Sequence, residues 1–241
     1  MSPAAPHRIH ILAASHGTDN PRGQQLIHQL RAQLEEQSGA WAVQLEWHEA
    51  YVDVQEPALP QVLEQLPAGE PAIVLPLLVA DGVHTTKDIA SAVAARPNAS
   101  AASPLGALPQ LAQVLAERAE AHLAEDQQVV LAAAGTRLEI GQQQIRKLAG
   151  LVAEQLRREV SVAYCAGANP RAEEVVASAS SPVLLISALL ADGYFQDKLA
   201  STGAAGLTSP LLPDVTIAQC FLVRLENALH EAGFMSLDDE E

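Results

Sequence analysis

LPLLVADGVH, residues 75–84, returns later in the chain as LISALLADGYF, residues 185–195. Each stretch is an apolar run that closes on Ala-Asp-Gly. A run without polar alternation predicts a strand buried on both faces, as in parallel sheets covered by helices. The repeat extends outward from these two strands. GTDNPRGQQLI (17–27) aligns with GTRLEIGQQQI (135–145), and YVDVQEPALPQVL (51–63) with YCAGANPRAEEVV (164–176). SPL at 103–105 aligns with SPL at 209–211, and Arg118 falls over Arg224. The offset shrinks steadily along the chain, so the second copy has shorter loops. Matched segments in one order mark an internal duplication; two copies are too few for a solenoid.

Within each copy, strands alternate with helices. In the first, strands are expected at 8–15, 42–52 and 71–80. Helices follow at an Asn-Pro start (Asn20, Pro21), at 56–66, and at 85–96 with Thr in the capping position. An extended piece and a helix occupy 103–125. The second copy repeats the order, with strands at 129–135, in VSVAYCAG and at 182–191. The fold class is therefore α/β: two tandem homologous lobes, each a parallel sheet flanked by helices, with a cleft between them. Residues 1–126 form the lobe carrying the candidate histidines, and 127–241 a degenerate repeat. The 241 residues suit two lobes of about 100–120 each.

Composition narrows the function. Apolar residues make up 49% and aromatics 3%, so the cores are built from Ala, Val, Leu and Ile. A formal net charge of −15 repels nucleic acid and anionic membranes, which excludes both as partners. No stretch reaches ~18 uninterrupted apolar residues, so no transmembrane helix is expected. MSPAAPHRIHILAA at the start lacks the pattern of a secretory signal. Cys165 and Cys220 stand apart and read as small buried hydrophobes. The expected location is the cytoplasm.

The duplication acts as an internal control. Gly17/Gly135, Thr18/Thr136, Pro57/Pro170, Asp81/Asp192 and Gly82/Gly193 are kept, and read as turns, caps and close backbone approaches. Three residues are lost together: His16 becomes Ala134, His84 becomes Phe195 and Asp53 becomes Ala166. All three stand at expected carboxyl ends of strands, where parallel sheets bind ligands. Two imidazoles and a carboxylate suit a divalent first-row metal, and they accept protons near neutral pH. A lone histidine at a strand end is ordinarily a hydrogen-bonded structural residue, and an acid before a loop is often a cap. The joint loss is what separates these three. His7, His10, His28, His48, His122 and His230 carry no such support. His28 and His122 read as solvated helix faces, and His48 falls within a strand with its role open.

GTDNPRG offers helix amides and Arg22 to an anion, and Thr85, Thr86 and Lys87 can do the same. Adjacent Ser15 and His16 point to opposite faces of a strand, so they form no nucleophile–base pair. No glycine-rich phosphate loop is present, which argues against nucleotide use.

SHGTDNPRG, YVDVQEP and LPLLVADGVHTTKDI together resemble the sirohydrochlorin chelatases, the class II tetrapyrrole chelatases. SPLGALPQLAQVLAER is similar to the segment that follows in that family, and the long members are two fused copies of a short one. The resemblance implies insertion of Co²⁺ or Fe²⁺ into sirohydrochlorin without ATP, for cobalamin or sirohaem. It makes His16 and His84 the catalytic and metal-handling pair. Asp53 is a third metal ligand, standing where many members have Glu. Ser15, Gly17, Arg22, Gly82, Thr85, Thr86 and Lys87 become the substrate-binding set. The resemblance implies no organic cofactor, since the divalent metal is a substrate, and a monomer that is an internal pseudo-dimer. The polycarboxylate rim of the pigment would meet Arg22, Lys87, Arg137 and helix amides. Alternatives stay open: a non-catalytic carrier of metal or tetrapyrrole, or a nickel-specific chelatase. Co²⁺ and Fe²⁺ suit the same ligand set.

Overall fold

A computed structural model describes residues 8–235; the side chains of His84 and Thr85 lie outside the described residues. The first half runs β1 (Arg8–Ser15), α1 (Pro21–Ser38), β2 (Gln44–Tyr51), α2 (Leu59–Gln65), β3 (Ala72–Pro76), a π-helix (His84–Ile89), α3 (Ala90–Ala94), β4 (Ala99–Ala101) and α4 (Pro109–Glu120). The second runs β5 (Gln128–Ala133), α5 (Glu139–Leu156), β6 (Val160–Tyr164), α6 (Ala172–Ser178), β7 (Val183–Ser187), α7 (Tyr194–Ala200), β8 (Gly206–Leu207) and α8 (Val215–Glu231). Each half holds a four-stranded sheet, in the orders β2-β1-β3-β4 and β6-β5-β7-β8. Every pairing is parallel.

Local chemistry explains most boundaries. Asn20 caps α1 by accepting from the Gly23 amide at 3.0 Å, and Pro21 supplies a pre-set φ at the first helical position. β3 stops at Pro76, short of the expected residue 80. The apolar run continues because the chain is still bonded: the Leu78 and Val79 carbonyls accept from the Leu105 and Gly106 amides at 3.0 and 2.8 Å. In the second half the Leu189 and Leu190 carbonyls accept from Leu211 and Leu212 in the same way. α2 begins at Leu59, later than expected, behind an extended Ala58. The helix expected at 85–96 opens earlier, at His84, in the wider π form, and no side chain caps it. The Thr86 hydroxyl instead donates back to the Gly82 carbonyl at 3.0 Å. Strands β4 and β8 escape a pattern reading because they are only three and two residues long.

The packing joins the halves. One hydrophobic core runs from Ile9, Ile11, Ile73 and Leu75 of the first sheet to Val129, Leu131, Leu184 and Ile186 of the second. Leu30, Leu115, Leu148 and Phe221, one each from α1, α4, α5 and α8, fill the space between. Burying a side chain of this size contributes about 1.5–3 kcal/mol. Helix α4 packs on β7 and α8 on β3, so the last helix of each half lies against the sheet of the other. The outer face of each sheet has its own smaller core, under α2 and the π-helix–α3 segment in the first half and under α6 and α7 in the second.

Several of the residues kept in both copies meet at the junction. A methyl group on Gly23 would collide with the Asp192 carbonyl, and one on Gly141 with the Asp81 carbonyl. Each Asp-Gly turn therefore presses its backbone onto a helix start in the opposite half. Gln144 clamps one contact, accepting from the Asp81 amide at 2.8 Å and donating to its carboxylate at 2.6 Å. Arg22 clamps the other, donating from Nε to the Asp192 carboxylate at 2.9 Å. The paired arginines cross as well. Arg118 donates to the Pro210 and Leu211 carbonyls and to Asp214, and Arg224 donates to the Leu105 carbonyl.

Two glycines of α5 separate close approach from helix propensity. Gly141→Ala should destabilise the chain by about 1–3 kcal/mol through overpacking. Gly150→Ala has nothing within 4 Å of the added methyl, and should stabilise by about 0.5–1 kcal/mol. Urea midpoints of the two variants, moving in opposite directions, check this.

Candidate active site

Strand β1 lies between β2 and β3, so its carboxyl end is flanked by theirs. Ser15 sits opposite Tyr51 and Ala14 opposite Pro76. The ladder continues past the strands: the Val52 amide donates to the Ser15 carbonyl at 3.0 Å and the Asp53 amide to the His16 carbonyl at 3.1 Å. His16 and Asp53 are thus backbone neighbours on adjacent strands. The segment leaving β3 reaches the same edge and enters the π-helix at His84. Single π-turns recur at functional sites because they displace side chains from the regular helical register.

Two backbone features hold this edge. Gly17 has φ +92°, and a Cβ there would overlap the Asp53 carbonyl; Gly135 stands over the Ala166 carbonyl in the same way. Val54 has φ 61°, an unfavourable value for a β-branched residue. It is held in a three-residue turn in which the Gln55 amide donates to the Asp53 carbonyl at 2.6 Å. The Asp53 carboxylate accepts from the Val54 amide at 2.8 Å, and the Gln55 side chain accepts from the Thr18 amide at 2.9 Å. Backbone strain of this kind costs about 1–3 kcal/mol and persists where the surroundings over-determine it.

His16 is half-buried, and its Nδ1 lies 3.2 Å from the Gly17 carbonyl. A carbonyl only accepts, so this contact is a hydrogen bond in the tautomer that carries its proton on Nδ1. Asp53 is exposed. Ser15 is buried as the last residue of β1. Gly17 shapes the turn under Asp53, and the Gly82 carbonyl accepts from the Thr86 amide and hydroxyl. Thr86 and Lys87 are exposed on the π-helix. Arg22 is two-thirds exposed at the junction, paired with Asp192. The side chains of His84 and Thr85, and the whole of His7, lie outside the described residues. Among the other histidines, His28 lies on the exposed side of α1 beside Glu49, His122 is exposed beyond α4, and His230 faces the Met235 carbonyl.

The second sheet offers a different surface at the corresponding edge. Ala134 and Phe195 pack against the outer core containing Cys165, Leu189 and Leu199. Phe195 is thus a partly buried core aromatic. The Cys165 carbonyl accepts from Lys198 and Arg171 at 2.9 and 3.1 Å, which spends two cations inside the fold.

One feature escaped the reading of the sequence. Val54, Val83, Ile140 and Tyr194 are large apolar side chains left about half or more exposed, Tyr194 at 76%. Each follows the carboxyl end of a strand, β2, β3, β5 and β7 in turn. Val83 and Tyr194 hold the same position in the two copies, immediately before His84 and Phe195, so the repeat itself carried the signal.

The thiols take no part in this chemistry. Burial is the main cause that pushes both Cys165 and Cys220 up to about 11, against the pull of Lys198 and Arg224 respectively. Both are free and buried. At pH 8 a disulfide reagent should leave the native chain unmodified and titrate two thiols after denaturation. Reactive thiolate would develop in the folded chain only as the pH nears 11; fast labelling at pH 8 would contradict this account.

A model of the CbiX family matches residues 10–122. None of the curated protein sequences matches significantly. Among solved structures, SirB from Bacillus subtilis with Fe³⁺ aligns at TM-score 0.72 and 20% identity, covering 94% of this chain and 98% of that one. The sirohydrochlorin chelatase SirB from Bacillus subtilis subspecies spizizenii in complex with cobalt aligns at TM-score 0.70, with 20% identity and the same coverage. A CbiX described as the terminal enzyme of sirohaem biosynthesis in denitrifying bacteria aligns at 0.67 and 18% identity, over 91% of this chain and 99% of that one. The two-lobed architecture is the fold of these chelatases. Among the described residues no helix is long and apolar enough to cross a membrane.

Proposed function

We infer that this chain, which matches the CbiX family model over residues 10–122, inserts Co²⁺ or Fe²⁺ into sirohydrochlorin without ATP. The observation that carries this is the convergence of three strand ends in one half. Those ends bring His16, Asp53 and the segment opening at His84 to a single edge, among exposed apolar residues from both halves. A tetrapyrrole is a flat apolar ring with a charged rim. An edge that exposes Val54, Val83, Ile140 and Tyr194 around a metal-binding set matches it. Tyr194, an exposed aromatic, is suited to stack on the ring.

The reaction removes two pyrrole protons while the ion sheds water. His16 and His84 accept those protons. Neutral imidazoles with the Asp53 carboxylate hold the incoming ion weakly enough to release it. Gly17 and the strained turn at Val54 set the position of Asp53 against His16. Thr86, Lys87 and the guanidinium of Arg22 meet the carboxylates of the rim, with Thr85 and the Gly82 turn beside them. Ser15 serves from beneath as the buried base of the His16 turn. The second half acts as a wall, to which Ile140 and Tyr194 contribute exposed apolar surface. Residues 1–126 and 127–241 are the two units of this arrangement. A cytoplasmic monomer is consistent with the free cysteines and with a pseudo-dimer built inside one chain.

An anaerobic absorbance time course with sirohydrochlorin and Co²⁺ or Fe²⁺ tests the reading. His16→Ala and His84→Ala should each lower the rate at least ~100-fold, the lower bound for loss of a positioned proton acceptor. Tyr194→Ser should raise KM and leave kcat nearly unchanged. Tight pigment binding with no acceleration over the spontaneous rate would make the chain a carrier instead.

A further inference from the structure

A second set of metal-ligating side chains stands at the opposite end of the first sheet. His10 pairs with Glu46 across β1 and β2, and Leu12 pairs with His48. Side chains two apart on a strand share a face, so His10, Glu46 and His48 lie together. One ligand atom of each falls within 4.8 Å of the others. His10 Nδ1 is 2.9 Å from His48 Nε2, and His48 Nε2 is 3.8 Å from a Glu46 carboxylate oxygen. A tetrahedral ion about 2.0–2.1 Å from each ligand would set those atoms roughly 3.3 Å apart, between the two distances seen.

The surroundings are built for ligation. His10 is 2% exposed, and its Nε2 donates to the Glu70 carboxylate at 2.6 Å. That bond fixes the proton on Nε2 and turns the Nδ1 lone pair toward His48 and Glu46. A carboxylate behind a ligating histidine is the usual outer support of metal sites. Glu70 is itself placed by Arg96, which donates to the Leu63, Leu66, Pro67 and Glu70 carbonyls and so ties down the turn before β3. A neutral His48 can shift its proton to Nδ1 and free Nε2 without net proton loss. β2 is an edge strand, and His48 and Glu46 are 23% and 42% exposed, so an ion can enter from solvent. Arg8 holds the other oxygen of Glu46 at 3.0 Å.

We propose that His10, His48 and Glu46, supported by Glu70, form a divalent-metal site separate from the crevice. The nitrogen–oxygen donor set suits Co²⁺, Zn²⁺, Ni²⁺ or Fe²⁺ and disfavours Mg²⁺ and Ca²⁺. The site lies on the order of 16 Å along β1 from His16, too far to share an ion with it. It serves to bind an ion, independently of insertion.

Co²⁺ is the probe, added anaerobically to the full-length His16→Ala/His84→Ala chain, in which the crevice set is dismantled. Equilibrium dialysis and visible d–d absorption should show one bound equivalent. Adding His48→Gln or Glu46→Gln should weaken binding at least ~10-fold. Glu70→Gln, which removes only the outer support, should weaken it by about 10–100-fold. In the chain with both crevice histidines intact, His48→Gln should leave the insertion rate unchanged at saturating metal. Absence of bound Co²⁺ in the double variant overturns the proposal, and so does binding that neither His48→Gln nor Glu46→Gln alters. Circular dichroism identifies an unfolded variant; should His48→Gln unfold, Glu46→Gln on the exposed strand edge decides.

Discussion

Two backbone contacts hold the molecule in register: the Asp81 carbonyl against Gly141, and the Asp192 carbonyl against Gly23. Each is a close approach that only glycine permits, and each joins a turn of one half to a helix start of the other. They bring the carboxyl ends of both sheets together at one place. Everything proposed for the crevice depends on this. Without it, the edge bearing His16 and Asp53 would face solvent, and Ile140 and Tyr194 would stand on a separate surface. The exchange of α4 and α8 acts in the same direction, because each half lays its last helix on the sheet of the other.

This arrangement explains why the duplication kept what it kept. Glycines, Asp-Gly turns and the arginine pair Arg118 and Arg224 recur because a pseudo-two-fold junction needs each of them twice. The histidines and Asp53 are under no such demand. In the function proposed, one half supplies the site, and the other can carry Ala134, Ala166 and Phe195 instead and gain apolar packing. The exchange is favourable for folding: a polar group at a partly buried strand end must find a partner, whereas alanine and phenylalanine contribute contact area without one.

The repeat made the fold legible. Apolar strands, the Asn-Pro helix start and the strand-end histidines are all local signals, and β1 runs over the residues expected from them. What the sequence concealed was non-local or too brief. Pro76 ends β3 inside an apolar run, because hydrophobicity reports burial and not hydrogen-bond donors. The π-turn at His84 leaves no mark in composition. β4 and β8 are too short to show alternation. The kept residues were readable as turns and caps, but their partners lay in the other half, where spacing along the chain says nothing. His10 and His48 were passed over for a similar reason. Each is an unremarkable strand residue until the parallel register brings both, with Glu46, onto one face.

The two histidine groupings then show how one sheet can serve separate ends. At the carboxyl end, successive loops diverge from the strands and leave side chains on irregular backbone, where strain at Val54 and a π-turn can aim them. At the amino end, the proposed ligands stand on regular strand, with spacing fixed by the pleat and orientation fixed by Glu70. The crevice site proposed here, on irregular backbone, can adjust as an ion exchanges between water, protein and pigment. A site locked in a ladder, with its inner histidine buried, favours retention over transfer. The rigidity of the amino end and the adjustable geometry of the carboxyl end follow from where each lies on the same three strands.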